Sequence, residues 1–183
     1  MTDHSTLVTL LAKHSAKRGD FILASGKRSN FYIDARLTTM TPEGLSIIGA
    51  LGLAAIHQNH WAIDAVGGLT LGADPISYAI CYASASSKKP LRAFTVRKQA
   101  KTHGTGKLIE GPLLDGDQVA IIEDVITTGE SALHAIAAVH RANASVVGVL
   151  ALIDREEGGR QALENTGVPV MSLVRVSEIF DAL

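Results

Sequence analysis

The fold of this chain is decided by the stretch Val119-Ala-Ile-Ile-Glu-Asp-Val-Ile-Thr-Thr-Gly-Glu-Ser131. Four apolar residues lead into two adjacent carboxylates, Glu123 and Asp124, and then into a turn of small residues that ends at Gly129. From Leu133 onward, apolar residues recur at the spacing of one helix face. The pattern predicts a buried strand with an acidic tip, a tight loop and the start of a helix.

This arrangement indicates a site for a sugar phosphate. A helix start has free backbone N–H groups, and small neighbouring side chains let a phosphate approach them without a lysine. Two carboxylates at the end of the strand can accept hydrogen bonds from the hydroxyl groups of a polyol. A diol next to a phosphate suggests a ribose phosphate.

Two other interpretations of the acidic tip stay open at this point. The carboxylates could be merely solvated at a strand end, or they could form the acidic tip of a Walker B strand. The second interpretation needs a Gly-x4-Gly-Lys-Ser/Thr loop, which the chain lacks. No complete Gly-x-Gly-x-x-Gly follows a strand either, so the dinucleotide-binding fingerprint is absent and ribose-phosphate binding is favoured.

Length and composition indicate one globular domain over residues 1–183. The chain is 46% hydrophobic and 19% charged, and its formal net charge is −1. Because a neutral chain has no basic field, neither nucleic acid nor a membrane surface is expected as a partner. No N-terminal signal pattern occurs, and no apolar run approaches the ~20 residues of a membrane span. Cys81 is the only cysteine, which favours a reducing cytoplasm.

Apolar strands alternate with helical patterns along the rest of the chain. The predicted helices lie at 3–17, 41–57, 75–85 and 130–141, and the further predicted strands at 21–23, 31–35, 62–66, 91–96, 146–153 and 168–174. Uninterrupted apolar strands in such an alternation predict an α/β fold with a mainly parallel central sheet flanked by helices on both faces.

Ligands of an open parallel sheet collect outside the carboxyl ends of its strands. Four predicted loops lie there: 67–75, 97–111, 124–129 and 154–155. The first loop contains Gly67, Gly68 and Gly72. These glycines are consistent with a tight turn, and equally with backbone N–H groups that approach a pyrophosphate.

The loop 97–111 is polar and contains three glycines. Its cationic or titratable basic residues are Arg97, Lys98, Lys101, His103 and Lys107. It could be an exposed hairpin kept soluble by charge. The clustered cations favour a mobile loop that closes over a polyphosphate, excludes water and neutralises charge on a leaving group.

Arg155 follows a strongly apolar predicted strand and allows two interpretations. A guanidinium at a strand end can hold a planar carboxylate through two hydrogen bonds. It could equally form an ion pair with Asp154, Glu156 or Glu157.

Taken together, these segments closely resemble the orotate phosphoribosyltransferases, a group within the type I phosphoribosyltransferase family. Ile121–Gly129 is similar to the family's motif for phosphoribosyl diphosphate (PRPP), and Val96–Gly104 is similar to the catalytic loop of the orotate enzymes. Ser25-Gly26 with residues 31–34 resembles the N-terminal substrate segment, and Ile153–Arg155 resembles the strand end that binds orotate. The resemblance covers nearly the whole chain.

The resemblance implies a type I phosphoribosyltransferase fold. A small N-terminal hood of about residues 1–40 is expected to pack on the core, and the basic loop of about residues 97–111 is expected to be flexible. The implied activity transfers the 5-phosphoribosyl group from PRPP to orotate, giving orotidine 5′-monophosphate and diphosphate, in de novo pyrimidine biosynthesis. Mg²⁺ is the implied cofactor, carried by the diphosphate rather than by protein ligands. A homodimer with active sites shared across its interface is also implied.

The resemblance also assigns roles to individual residues. The residues implied to contact PRPP are Arg97, Lys98, Lys101, His103, Glu123, Asp124, Val125, Ile126, Thr127, Thr128 and Gly129. The residues implied to contact orotate are Thr127, Arg155, Tyr32 and Ile33. Lys101 and His103 are the implied catalytic residues, which stabilise charge on the departing diphosphate or donate a proton to it.

Two positions depart from the family pattern, since Ala24 and Gly72 stand where the family often has lysine. We hypothesise that Lys27 or Arg28 supplies a positive charge instead. Two alternatives to the implied activity stay open: transfer to another base, such as a purine, and PRPP binding by a non-catalytic regulator with the same fold. The basic loop and Arg155 favour an acidic pyrimidine as the acceptor.

Overall fold

The computed structural model describes residues 3–22, 28–99 and 107–183. In chain order, the strands of these residues are β1 (Ala16–Ile22), β2 (Arg28–Ile33), β3 (Ala65–Leu69), β4 (Arg92–Val96), β5 (Ile109–Glu110), β6 (Gln118–Ile126), β7 (Ser145–Asp154) and β8 (Val170–Arg175). β1 and β2 form an antiparallel hairpin, and the other six strands form one sheet in the order β5-β4-β3-β6-β7-β8. All neighbouring pairs in this sheet are parallel except β4 and β5. The predicted mainly parallel sheet is confirmed.

Helices cover both faces of the sheet. In chain order they are α1 (Asp3–Leu10), which continues as a π-helical turn (Leu11–Ser15), α2 (Arg36–Thr39), α3 (Pro42–Gln58), α4 (Ala73–Ala83), α5 (Glu130–Arg141), α6 (Gly159–Glu164) and α7 (Val176–Asp181). Side chains of β6 alternate between two core clusters, with Ile122 in the cluster that contains residues of α1, α3 and α4 and Ile121 in the cluster that contains residues of α5 and α6. Both clusters exclude water, which explains the uninterrupted apolar strand.

Helix starts were the most predictable boundaries. The Thr41 hydroxyl accepts a hydrogen bond from Gly44 N at 3.0 Å, and Pro42 occupies the first turn of α3. Both features are typical of a helix N-terminus. Gly129 precedes α5 with a φ of +86°, a left-handed conformation that favours glycine.

Several predicted boundaries are wrong. The helix predicted over 3–17 ends at Ser15, because the following residues pair with β2 as part of β1. The strand predicted over 62–66 is β3, which runs from Ala65 to Leu69 and takes in three residues predicted as loop. α2, α6 and α7 were not predicted.

The N-terminal hairpin contacts the C-terminal part of the chain. The rings of Phe31 in β2 and Phe180 in α7 have centroids 4.5 Å apart, and Arg18 Nη2 donates to the Phe180 carbonyl oxygen at 3.2 Å. Phe31 also packs against the core cluster that includes Ile33. These contacts hold the end of β2 beside the carboxyl edge of the sheet. In the part of the chain that the structure describes, no helix is long and apolar enough to cross a membrane.

Candidate active site

A cavity of about 320 Å³ lies at the carboxyl edge of the parallel strands. Its walls come from residues 32–36 at the end of β2 and beyond it, residues 69–72 at the end of β3 and beyond it, Lys98 after β4, the end of β6 and Arg155 after β7. This is the edge at which ligands of open α/β sheets bind. The cavity therefore brings together segments that are far apart in the sequence.

Most of the predicted site residues within the described part of the chain line this cavity. They are Tyr32, Ile33, Lys98, Glu123, Asp124, Val125, Thr127 and Arg155. Arg97 instead lines a neighbouring cavity, where its Nη1 donates to Glu110 Oε1 at 3.3 Å. The side chain of Ile126 is buried in the core, and neither Thr128 nor Gly129 lines the cavity. Lys101 and His103 lie outside the described residues.

The two adjacent carboxyl groups differ in their surroundings. The Glu123 side chain is buried, and its Oε2 has no hydrogen-bond partner among the described residues. Burial, together with the negative charge of Asp124, raises the pKa of Glu123 from 4.5 to about 9. Asp124 is half-buried, and its Oδ1 accepts a hydrogen bond from Val125 N at 2.9 Å. The expectation of two acceptor-only groups is therefore corrected, because Glu123 is protonated at neutral pH and can also donate.

The Glu123→Gln variant is expected to be more stable than the wild type at pH 8. Because the pKa of Glu123 is higher in the folded protein than in the unfolded chain, its stabilising contribution is complete below pH 4.5 and is lost as the pH rises towards about 9. The slope is about 1 kcal/mol per pH unit in that range. Urea unfolding between pH 5.5 and 8.5 measures it, with exposed Glu43→Gln as the control. Equal slopes in the wild type and Glu123→Gln would contradict the assignment.

The N-terminus of α5 borders the acidic pair. Thr127 and Ser131 both line the cavity, and Glu130 N donates to Thr128 Oγ1 at 3.5 Å. The first N–H groups of a helix have no partners within the helix, so they are available to an anion. Ser131 was not among the predicted site residues, although it closes the opening stretch of the sequence analysis.

Arg155 forms the ion pair that was one of its two predicted interactions, and it also lines the cavity. Its Nε donates to Glu157 Oε1 at 2.9 Å, so the ion pair is present. Nη2 lies 2.7 Å from the same oxygen but makes no hydrogen bond with any described residue. The guanidinium carbon lies 4.7 Å from the ring centroid of Phe31, an arrangement typical of cation–π contacts. Arg155 is thus held by an anion and an aromatic ring while it lines the cavity.

The turn after β3 is fixed by a buried carboxylate that the sequence analysis did not identify. Asp74 Oδ2 accepts from Thr70 Oγ1 at 2.7 Å, and its Oδ1 accepts from Thr95 Oγ1 at 2.8 Å. Thr70 N also donates to the Val96 carbonyl oxygen at 2.8 Å. An aspartate in the first turn of a helix that follows a glycine-rich loop was the available indication. This network holds residues 70–72 at the cavity.

Gly72 lies close to the acidic pair. A Cβ added to Gly72 would collide with the carboxylate of Asp124. Arg28, one of the two residues hypothesised to replace a lysine, lines another cavity beside Asp20 and Phe21. Lys27 lies outside the described residues. The hypothesis about Arg28 is therefore not supported by its position.

Arg36 and Asp34 line the cavity and were not predicted as site residues. Arg36 Nε donates to Asp34 Oδ1 at 2.8 Å, and Arg36 Nη2 donates to Asp34 Oδ2 at 2.9 Å. The guanidinium beside Asp34 lowers the pKa of that carboxyl group. Within the described ranges, no three His, Cys, Asp or Glu side chains form a group that could hold a metal ion.

An acidic pair between a parallel strand and a helix N-terminus, with a hairpin end against the same cavity, places this protein among the type I phosphoribosyltransferases. No protein-family model matches the chain. The orotate phosphoribosyltransferase of Aquifex aeolicus is 44% identical over 182 residues, which cover 98% of both chains. The chain belongs to the orotate phosphoribosyltransferase family and is therefore a pentosyltransferase.

Solved structures agree with this assignment. The orotate phosphoribosyltransferase of Mycobacterium tuberculosis H37Rv in complex with Fe(III) dicitrate is 37% identical, with a TM-score of 0.85 over 97% of this chain and 99% of that chain. The same Mycobacterium enzyme in complex with PRPP is 35% identical, with a TM-score of 0.82 and the same coverage.

Proposed function

We propose that this protein transfers the 5-phosphoribosyl group from PRPP to orotate, releasing diphosphate and forming orotidine 5′-monophosphate in de novo pyrimidine biosynthesis. The observation that carries the proposal is the single cavity shared by the acidic pair, the α5 N-terminus and Arg155. The first two suit a ribose phosphate, and the third suits a carboxylate. The PRPP complex of the Mycobacterium relative supports the choice of donor substrate.

The ribose phosphate of PRPP is assigned to the end of β6 and the loop after it. Asp124 accepts hydrogen bonds from ribose hydroxyls, and protonated Glu123 can both donate to them and accept from them. Backbone groups of residues 125–129 hold the 5′-phosphate at the start of α5. The buried side chain of Ile126 leaves only its backbone for this role.

Orotate is assigned to the other side of the acidic pair. Arg155 holds its carboxylate, since its guanidinium lines the cavity and offers a planar fork of N–H donors. Tyr32 and Ile33 pack along the ring, and Thr127 donates or accepts a further hydrogen bond. Tyr32 is 40% exposed and Ile33 is buried, so the hairpin end provides one rigid and one adaptable wall.

Catalysis depends on charge at the leaving diphosphate. Bond breaking at ribose C1 leaves positive charge on the ribose and negative charge on the diphosphate, and fixed cations stabilise the second. Lys98 lines the cavity, and Arg97, Lys101 and His103 are assigned to the same group of cations. The diphosphate, rather than protein ligands, would hold Mg²⁺, and the bound cation would neutralise part of the leaving group's charge, which suits a cation that binds few carboxylates and keeps its waters.

We also assign the protein to a homodimer. Several large apolar side chains in and next to α2 and α4 are exposed, namely Leu37, Met40, Leu71, Tyr78 and Tyr82. A cavity of about 490 Å³ between α3 and α4 runs beside Tyr78 and Tyr82. Leu71 is exposed and also lines the wall of the site, which suits an active site completed by a second subunit. Sedimentation equilibrium tests the assignment: a mass of 19.3 kDa for the particle would contradict it.

A product assay tests the proposed activity. The protein is mixed with PRPP and Mg²⁺ and with orotate, adenine or xanthine in turn, and nucleotide products are separated by chromatography. Orotidine 5′-monophosphate from orotate alone supports the proposal. A purine nucleotide would favour transfer to another base, and PRPP binding without any product would favour a regulator. The reaction is assigned to the cytoplasm, where a free thiol such as that of Cys81 persists.

A further inference from the structure

We propose that Arg36 binds the diphosphate of PRPP and is held in position for this by Asp34. This inference rests on the proposed activity and adds a residue that the sequence motifs do not include. Arg36 is the first residue of α2 and lies directly after the hairpin end that lines the cavity. Its guanidinium therefore enters the site from a segment outside the basic loop.

The ion pair with Asp34 fixes the position of the Arg36 guanidinium but occupies only some of its N–H donors. Two parallel hydrogen bonds of 2.8 and 2.9 Å join the Nε and Nη2 atoms of Arg36 to the two carboxylate oxygens. An arginine has five N–H donors, so three of them have no partner among the residues that the structure describes. The Arg36 side chain is 47% exposed and the Asp34 side chain is 20% exposed. A second anion can therefore bind the remaining N–H donors of the Arg36 guanidinium.

The rest of the cavity leaves the diphosphate short of positive charge. The turn 70–72 contributes no cation, since Gly72 stands where the family often has lysine. Arg155 is held by Glu157 and Phe31 on the orotate side. Among the described residues, this leaves Arg36 and Lys98 as the cations of the cavity wall that can face a polyphosphate.

Arg36 shares the cavity wall with Asp124 and the turn 70–72, which favours the diphosphate as its ligand. The pKa of the Arg36 guanidinium is raised mainly by Asp34 and to a smaller extent by Tyr32 and by Asp124, the residue assigned to the ribose hydroxyls. Residues 70–72 line the cavity together with Arg36 and Asp124. Because the diphosphate is attached to the ribose at C1, a cation near Asp124 and this turn lies next to the leaving group. A planar guanidinium suits it, since two N–H donors can bind two phosphate oxygens.

The experiment compares Arg36→Ala with the wild type in three measurements. Calorimetry gives the Kd of PRPP with Mg²⁺ in the absence of orotate, steady-state kinetics give separate KM values for the two substrates, and inhibition by inorganic diphosphate gives its Ki. We expect Arg36→Ala to raise the Kd of PRPP and the Ki of diphosphate about tenfold to thirtyfold. The KM of orotate is expected to stay within about twofold.

Two further variants sharpen the result. Arg160→Ala is the matched control, because Arg160 is 42% exposed and ion-paired with Glu164 outside the cavity; it is expected to leave all three values unchanged. Asp34→Asn keeps Arg36 but removes the charge of its ion-pair partner, so the guanidinium is held less firmly. This variant is expected to weaken PRPP binding about threefold. Thermal unfolding of each variant shows whether the fold is intact.

Two outcomes would overturn the inference. One is an Arg36→Ala protein that binds PRPP and diphosphate as tightly as the wild type does. The other is a rise in the KM of orotate without a change in the Kd of PRPP, which would assign Arg36 to the base. Failure of the proposed activity is a separate observation, because it would appear as a wild-type protein that makes no orotidine 5′-monophosphate.

Discussion

Replacing Arg155 by leucine is expected to lower kcat/KM for orotate about a thousandfold and to leave the Kd of PRPP unchanged. Hydrogen bonds to charged groups contribute about 1.5–3 kcal/mol each, and the variant loses two of them to the orotate carboxylate. Leucine leaves no unpaired buried cation, and the Glu157 side chain, 33% exposed, can be hydrated. Steady-state kinetics with varied orotate, together with calorimetry for PRPP, measure both quantities.

Arg155→Lys separates charge from geometry. Lysine keeps the positive charge but cannot bind a carboxylate through a planar fork, and it loses the stacking of the guanidinium on Phe31. We expect it to recover about tenfold of the lost kcat/KM at most. An unchanged KM for orotate in the Arg155→Leu variant would contradict the assignment of Arg155 to orotate binding.

Replacing Lys101 by alanine is expected to lower kcat about a hundredfold while the protein stays folded. Removing one preorganised donor to a developing negative charge typically costs ~3 kcal/mol of transition-state stabilisation. Single-turnover rates at saturating PRPP and orotate measure the loss, and circular dichroism checks the fold. The exposed Lys13→Ala, in the N-terminal helix, is the control. Turnover of Lys101→Ala near that of the wild type would refute the catalytic assignment.

A mixture of two inactive variants tests whether sites are shared between subunits. Lys101→Ala and Asp124→Asn chains are unfolded together and refolded, so that half of the dimers contain one of each. If Lys101 acts in the partner's site, one of the two sites in each mixed dimer is intact, and about a quarter of the wild-type activity returns. If each chain uses its own lysine, no activity returns.

The strand and helix of the opening stretch could be predicted because each part has a local cause. β6 is apolar over four residues since Val119 and Ile121 pack on one face while Ala120 and Ile122 pack on the other. Gly129 supplies the left-handed conformation before α5. These causes can be recognised in the local sequence, so the prediction needs no knowledge of distant segments.

The glycines after Ala65 show where local reasoning fails. Gly67 and Gly68 were predicted in a loop but lie inside β3. A Cβ at Gly67 would collide with Phe94, and one at Gly68 would collide with the Ile122 carbonyl group. Close packing and a tight turn both require glycine, and only the neighbouring segments distinguish the two.

The candidate site was predictable in its motifs but not in its charges. Glu123 follows an apolar strand in sequence, yet its raised pKa comes from burial, for which other segments of the fold are responsible. Arg36 looks like a surface residue next to Asp34, because nothing local indicates that Asp124 and the turn after β3 lie near it. Such properties depend on which segments the sheet brings to one edge.

The stack of Phe31 on Phe180 has a consequence for synthesis of the protein. These rings lie near opposite ends of the chain, and the Arg155 guanidinium rests on the first of them. A ribosome must therefore release residue 180 before the base-binding wall has its full support. The acidic pair and its helix are made earlier and can fold before then. During synthesis, the part of the site assigned to the sugar phosphate can therefore form before the part assigned to the base.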